Sequence, residues 1–268
     1  MRSVSLERSS WVFVAFALSS ATLAACGKGP KEGDAPVVLR VAAASDLTAA
    51  FGEVAAAIEA ESGVKIEFTF GSSGLLAKQV AEGAPFDAFA SADVAFTDRA
   101  VKAGVCDGST QAAYARGRLV LHCPKGLPAG GLAGLDDARF RTIALANPDH
   151  APYGKAAMDA LERAGLATKL KPKLVMAGNV GESLQFARSG NADCAFVSKA
   201  LVHMLPEAQI FELPKDSYAP IVQALVLCGG ASPGKTPKTR SAAVAFAAFV
   251  RGERGQKILA KYGFDGPP

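Results

Sequence analysis

From Val37 onward, short apolar runs rich in β-branched residues alternate with stretches whose apolar residues recur at helical spacing. The first runs are Val37-Val38-Leu39-Arg40-Val41, Val64 to Phe70 and Phe86 to Phe89, with helical patterns through Ala60, to Glu82 and after Phe89. A second series holds Leu119 to Cys123, Thr142 to Leu145, Lys173 to Met176, Cys194 to Val197 and Gln209 to Leu213, again with helices between. Such alternation predicts parallel sheets with crossover helices, hence an α/β fold, here in two lobes. Gln223 to Cys228 reads as a further strand, and Lys238 to Val250 as a strongly apolar helix that needs a partner surface, expected on the first lobe. Hinge strands are expected near Gly117 to Cys123 and Ile221 to Cys228. Lobe I then takes residues 37–117 and 229–268, and lobe II residues 118–228.

The N-terminal residues follow another logic. Arg2 and Arg8 make a positive start, and Trp11 to Leu18 is an apolar run too short to cross a bilayer with margin, so residues 1–25 read as a secretory signal peptide. Leu23-Ala24-Ala25-Cys26 resembles the bacterial lipoprotein box, which makes Cys26 the lipidated first residue of the mature chain. Residues 26–36 contain almost no large apolar side chain and read as the lipidated cysteine and its tether. The expected location is the periplasmic or extracellular membrane face, as an anchored lipoprotein. There the remaining Cys106, Cys123, Cys194 and Cys228 can form two disulfides in three possible connectivities, among which sequence does not choose. Their spacing is unlike that of zinc ligands, and His122, His150 and His203 are isolated. A net charge of +4 over 268 residues, without a basic stripe, argues against a nucleic-acid partner.

Four strand-to-helix turns place small or polar residues where a helix should start. They are Ala44-Ser45-Asp46, Gly71-Ser72-Ser73-Gly74, Ala151-Pro152-Tyr153-Gly154 and Asn179-Val180-Gly181-Glu182. Pro152 suits a first helical turn, and Asn179 with Glu182 fits a capping box. A helix N-terminus exposes unpaired N–H groups and partial positive charge, so it attracts an anion without a formal cation. Any one such turn is ordinarily just a cap. Two in each lobe, at the carboxyl ends of strands, define instead a pocket for a small anion held by neutral donors.

One motif misleads. Gly229 to Thr236 matches the phosphate-binding loop pattern G-x-x-x-x-G-K-T, but Pro233 and Pro237 bracket its end, and no apolar strand ending in a magnesium-binding Asp accompanies it. An NTPase is rejected on those grounds. Gly71-Ser72-Ser73-Gly74 is not a hydrolase elbow either, so no catalytic residue is assigned and no enzyme activity or cofactor is expected.

The segments VAAASDL (41–47), FGSSGLLAKQVAEGAPFDAFASAD (70–93), NPDHAPYGKAAMDAL (147–161), GNVGESLQFARSGNAD (178–193) and KYGF (261–264) together resemble the periplasmic molybdate-binding protein family of ABC transporters. The likeness runs from about Val37 to Phe264. It implies a class II, two-lobed periplasmic binding protein fold with two hinge strands. It also implies an extracytoplasmic, monomeric solute-binding component of an importer for molybdate or tungstate, partnered by an inner-membrane permease with its cytoplasmic ATPase. By the same resemblance, molybdenum or tungsten is held as its oxyanion through Ser45 and Ser73 of one lobe and the Tyr153 and Val180 backbone positions of the other, with Ser72 alongside. Tyr153 is further expected to offer its phenol. Two departures stand out. Ser198 and Lys199 occupy the place where some members carry a tyrosine ligand, and Asp46 follows the first site serine. Asp46 is expected to contribute its backbone N–H while its carboxylate caps the helix; a carboxylate aimed into the site would instead favour another tetrahedral oxyanion such as phosphate, sulfate or a phosphonate.

Overall fold

A computed structural model describes residues 37–229 and 236–268. The signal, Cys26 and tether assignments, and Gly230 to Lys235 of the loop-like motif, lie outside the described residues. Thr236 begins the second described stretch, and its hydroxyl accepts from the Thr239 amide as a helix cap.

In chain order, β1 (Val38–Ala44) leads through a 3-10 turn (Ser45–Leu47) into α1 (Thr48–Ser62), followed by β2 (Lys65–Gly71), α2 (Ser73–Ala81), β3 (Ala88–Ser91) and α3 (Val94–Lys102). Next come β4 (Cys106–Gly117), β5 (Leu119–His122), β6 (Ile143–Ala146), α4 (Pro152–Arg163), α5 (Ala167–Leu170), β7 (Leu174–Ala177) and α6 (Val180–Arg188). The chain continues with β8 (Cys194–Ser198), α7 (Lys199–Val202), β9 (Ile210–Glu212), β10 (Ile221–Cys228), α8 (Pro237–Arg251) and α9 (Glu253–Lys261).

Two five-stranded sheets result, ordered β2-β1-β3-β10-β4 and β7-β6-β8-β5-β9. They share one plan. Three parallel strands lie with the first of them in the middle, and antiparallel strands extend the edge. Helices cover both faces of the parallel part, which is why β1 and β6 read as nearly continuous apolar runs rather than alternating ones. The chain passes from the first sheet to the second at Arg118, between β4 and β5, and returns between β9 and β10. Strand β10 pairs along its length with β3 and β4, so Ile221–Cys228 belongs by hydrogen bonding to the first sheet, whereas the sequence reading grouped it with lobe II. A strand that returns across a hinge is completed by the sheet it enters.

The apolar helix expected over 238–250 is α8, and it packs on β1 and β10 of the first sheet. Two elements escape the sequence pattern. Strand β4 (CDGSTQAAYARG) is half polar and half small, its burial follows no period of two, and register shifts interrupt its pairing with β10. Helix α9 follows α8 after a single glycine and packs on α1. The structure also selects the disulfides: Cys106–Cys228 staples facing residues of β4 and β10, and Cys123–Cys194 joins the end of β5 to the start of β8. Each lies within one sheet, leaving the crossings between sheets uncrosslinked.

Candidate functional site

The parallel strands β1 and β2 are neighbours in one sheet, as β6 and β7 are in the other, and all four run their carboxyl ends toward one cleft. The turns leaving these strands are the four picked out from the sequence. Together they enclose a cavity of about 10 Å3, lined by Ser45, Ser72, Ser73, Tyr153 and Val180 among others, room for roughly one solvent molecule. No residue lining it is Lys, Arg or His.

Each helix start is built locally. Pro152 occupies the first turn of α4, where its missing N–H costs nothing. At α6 the Asn179 side chain accepts from the Glu182 amide at 3.0 Å, and Glu182 reaches back to the Gly178 amide at 2.7 Å. That is the expected capping box shifted by one residue, and it consumes local donors while leaving Val180 at the cavity wall. Ser73 accepts the Ala92 amide at 3.0 Å, so its hydroxyl oxygen is fixed and its proton remains to be donated.

Ser45, Ser72, Ser73, Asp46, Tyr153 and Val180 therefore line one cavity, while the Ser72 hydroxyl, the Asp46 carboxylate and the Tyr153 phenol make hydrogen bonds within the protein. The Ser72 hydroxyl donates to the His150 carbonyl at 2.6 Å and lies 2.8 Å from His150 Nδ1. Gly74 donates its amide to the same carbonyl at 2.9 Å. A Cβ on Gly74 would stand 2.7 Å from that oxygen, so only glycine admits the approach. His150, isolated in sequence, thus anchors the second lobe on the first. A third bridge joins the lobes where the Gly181 amide donates to Ser45 Oγ at 3.3 Å.

The Asp46 carboxylate is not a helix cap. It is fully buried, and its Oδ2 accepts from the Tyr153 phenol at 2.9 Å and from the Gln223 side-chain amide. Ser198 donates to the Tyr153 oxygen at 3.0 Å, and Tyr114 donates to Gln223 Oε1 at 2.7 Å. The phenol expected to serve the anion is occupied in this network, which joins β4, β10 and the first 3-10 turn to α4 and β8. Gly117 makes room for it, since a Cβ there would lie 2.1 Å from the phenol oxygen. Burial raises the Asp46 pKa to about 6, against the lowering effect of the bonds from Tyr153 and Gln223. Burial likewise pushes the Tyr114 and Tyr153 phenols well up, reinforced by the Asp46 charge. Sequence reasoning missed Gln223, Tyr114 and His150, and assigned Ser198 no partner. Their partners lie 45 to 177 residues away, and no local pattern marks them.

Comparison with known proteins accords with this geometry. Residues 39–265 match the family described as bacterial extracellular solute-binding protein. The molybdate-binding protein ModA of Rhodobacter capsulatus is 31% identical over 83% of this chain and 86% of its own. That of Azotobacter vinelandii is 32% identical over 84% and 89%. The solved structure of the Azotobacter vinelandii periplasmic molybdate-binding protein superposes with a TM-score of 0.76 at 28% identity, covering 86% of this chain and all of that one. Since the match runs from the first strand to the last residues of the core and spans both sheets, the chain belongs to the bacterial extracellular solute-binding protein family.

Proposed function

We propose that this chain is the extracytoplasmic receptor of an ABC importer, binding molybdate or tungstate between its lobes and presenting it to an inner-membrane permease with its cytoplasmic ATPase. As a member of a solute-binding family it is a receptor and not an enzyme. The observation that carries the reading is the convergence of four helix starts, two from each sheet, on a cavity lined by hydroxyl residues, small residues and Asp46, without a cation. Ser45 and Ser73 from one lobe and the Tyr153 and Val180 amides from the other are the donors assigned to the oxyanion. No cofactor is assigned beyond the bound anion.

A four-oxygen anion exceeds the present cavity, so it enters by displacing the direct contact between Gly181 and Ser45. The anion then receives donors that the lobes otherwise offer each other. Because either lobe alone supplies half of them, the anion shifts the hinge equilibrium by its differential affinity for the closed form. The permease reads that closed form. Cavity size in a fully desolvated site favours the longer metal–oxygen bonds of molybdate and tungstate over sulfate or phosphate. The alternative built on an Asp46 carboxylate aimed at the ligand finds no support, because that carboxylate is directed to Tyr153 and Gln223. Leu23 to Cys26 supports a lipid anchor, and the reading takes the receptor as a monomer at the membrane face.

Calorimetric titration with molybdate, tungstate, sulfate and phosphate tests the reading. Tight, 1:1 binding of the first two with weak response to the others is expected; equal or absent binding of molybdate overturns it.

A further inference from the structure

We infer that Asp46 couples anion capture to the uptake of one proton, which makes the affinity of this receptor depend on pH. The inference rests on the oxyanion reading above and deepens it. Asp46 adjoins Ser45 at the first helix start and lines the same cavity, yet it is fully buried, and neither Lys, Arg nor His lines that cavity. Oδ2 accepts two hydrogen bonds, whereas Oδ1 is buried with no partner among the described residues. A buried carboxylate with an unsatisfied oxygen is costly, and a second negative charge placed beside it raises that cost. A proton on Oδ1 removes the buried charge and with it the repulsion of the anion.

Closure is what creates this situation. Tyr153 of α4, in the second lobe, reaches across to cover Asp46 of the first. When the lobes part, the phenol withdraws and water reaches the carboxylate, which then ionises as an ordinary aspartate. The groups packed on Asp46 from other elements are Tyr153 of α4 and Gln223 of β10, with Tyr114 of β4 bonded to that glutamine. Both phenols are pushed well up and keep their protons, so Asp46, raised to about 6, is the member of the network that titrates. His150, across the cavity on Ser72, is the other group to be controlled for.

The sign follows directly. A bound-state pKa above that of the free, open form means protons enter on binding, so acid strengthens binding and alkali weakens it. Titration of the protein with sodium molybdate at pH 5.5, between the open and closed values of the carboxyl, in buffers of low and high ionisation enthalpy, counts those protons. Uptake of most of one proton per anion is expected, with a dissociation constant that rises by up to about tenfold per pH unit between the open carboxyl's 3.8 and about 6 and levels off above. Asp46→Asn should abolish the uptake and flatten the pH dependence. Binding without proton exchange in the unsubstituted protein overturns the Asp46 inference and leaves the oxyanion reading intact. Uptake that persists in Asp46→Asn places the proton elsewhere and overturns it as well. Failure to bind molybdate removes both. The buffer comparison needs no variant, so binding without proton uptake overturns the inference even where Asp46→Asn does not fold.

Discussion

Gly74→Ala separates closure from folding. Gly74 sits in the first turn of α2, where its φ is not in the left-handed region, so alanine fits the backbone of the isolated lobe and improves helix propensity there. The added methyl meets another lobe. It would stand 2.7 Å from the His150 carbonyl oxygen and 2.9 Å from both Cα and Cβ of His150, contacts that only a shift of the 147–151 loop or a partial opening relieves. Either movement breaks the Gly74 amide bond of 2.9 Å and the Ser72 hydroxyl bond of 2.6 Å to that carbonyl. At about 0.5–1.5 kcal/mol each, their loss costs closure about 1–3 kcal/mol, or about 5- to 150-fold in the dissociation constant for molybdate. Calorimetry measures the affinity, thermal unfolding measures the fold, and small-angle scattering measures the opening. The expected result is weakened binding with an undiminished melting temperature and a larger radius of gyration in ligand. Unchanged affinity would show that the His150 bridge contributes nothing to closure, and a lowered melting temperature would mean that the methyl disturbs the lobe itself.

Other outcomes follow from the same contacts. Ser73→Ala removes a donor to the anion and leaves the Ala92 amide without its acceptor; binding should weaken by about 1.5–3 kcal/mol and unfolding stability fall by about 1–3 kcal/mol, read by calorimetry and denaturant titration. Asp46→Asn should gain stability over the unsubstituted protein as pH rises. A carboxyl whose folded pKa is raised from 3.8 to about 6 contributes stability fully below 3.8 and loses it through about 6, so the gap between the two proteins widens by about 2.5 kcal/mol from pH 4 to pH 8; a constant gap would contradict the burial argument. Reduction of the disulfides, which span 122 and 71 residues, should lower stability by about 4–5 kcal/mol each on the chain-entropy account. Because each bridge lies within one sheet, the molybdate affinity of reduced protein that remains folded should stay close to that of the oxidised form.

Much of the architecture is written in stretches of fewer than twenty residues. The runs around Leu39, Ile143 and Cys194 announce buried parallel strands because both faces are covered, and Pro152 and Asn179 announce helix starts because their partners are the next few backbone groups. Strand β4 lacks that advantage: its residues carry no period, and it is a strand because β10 returns to pair with it over a hundred residues later. Helix α9 escaped for a different reason, its polar composition yielding to packing on α1.

The binding cleft divides the same way. Periodicity and caps, which act over one or two helical turns, determined from the sequence alone that four helix starts exist at the carboxyl ends of strands and that small or polar residues occupy them. Only the tertiary structure decided which hydroxyls face the cavity, that the Tyr153 phenol belongs to Asp46, that His150 bridges the lobes and which cysteines pair. A buried polar atom takes whatever partner the closing chain brings within hydrogen-bond distance. For Asp46 those partners are 107 and 177 residues away, beyond the reach of any local pattern.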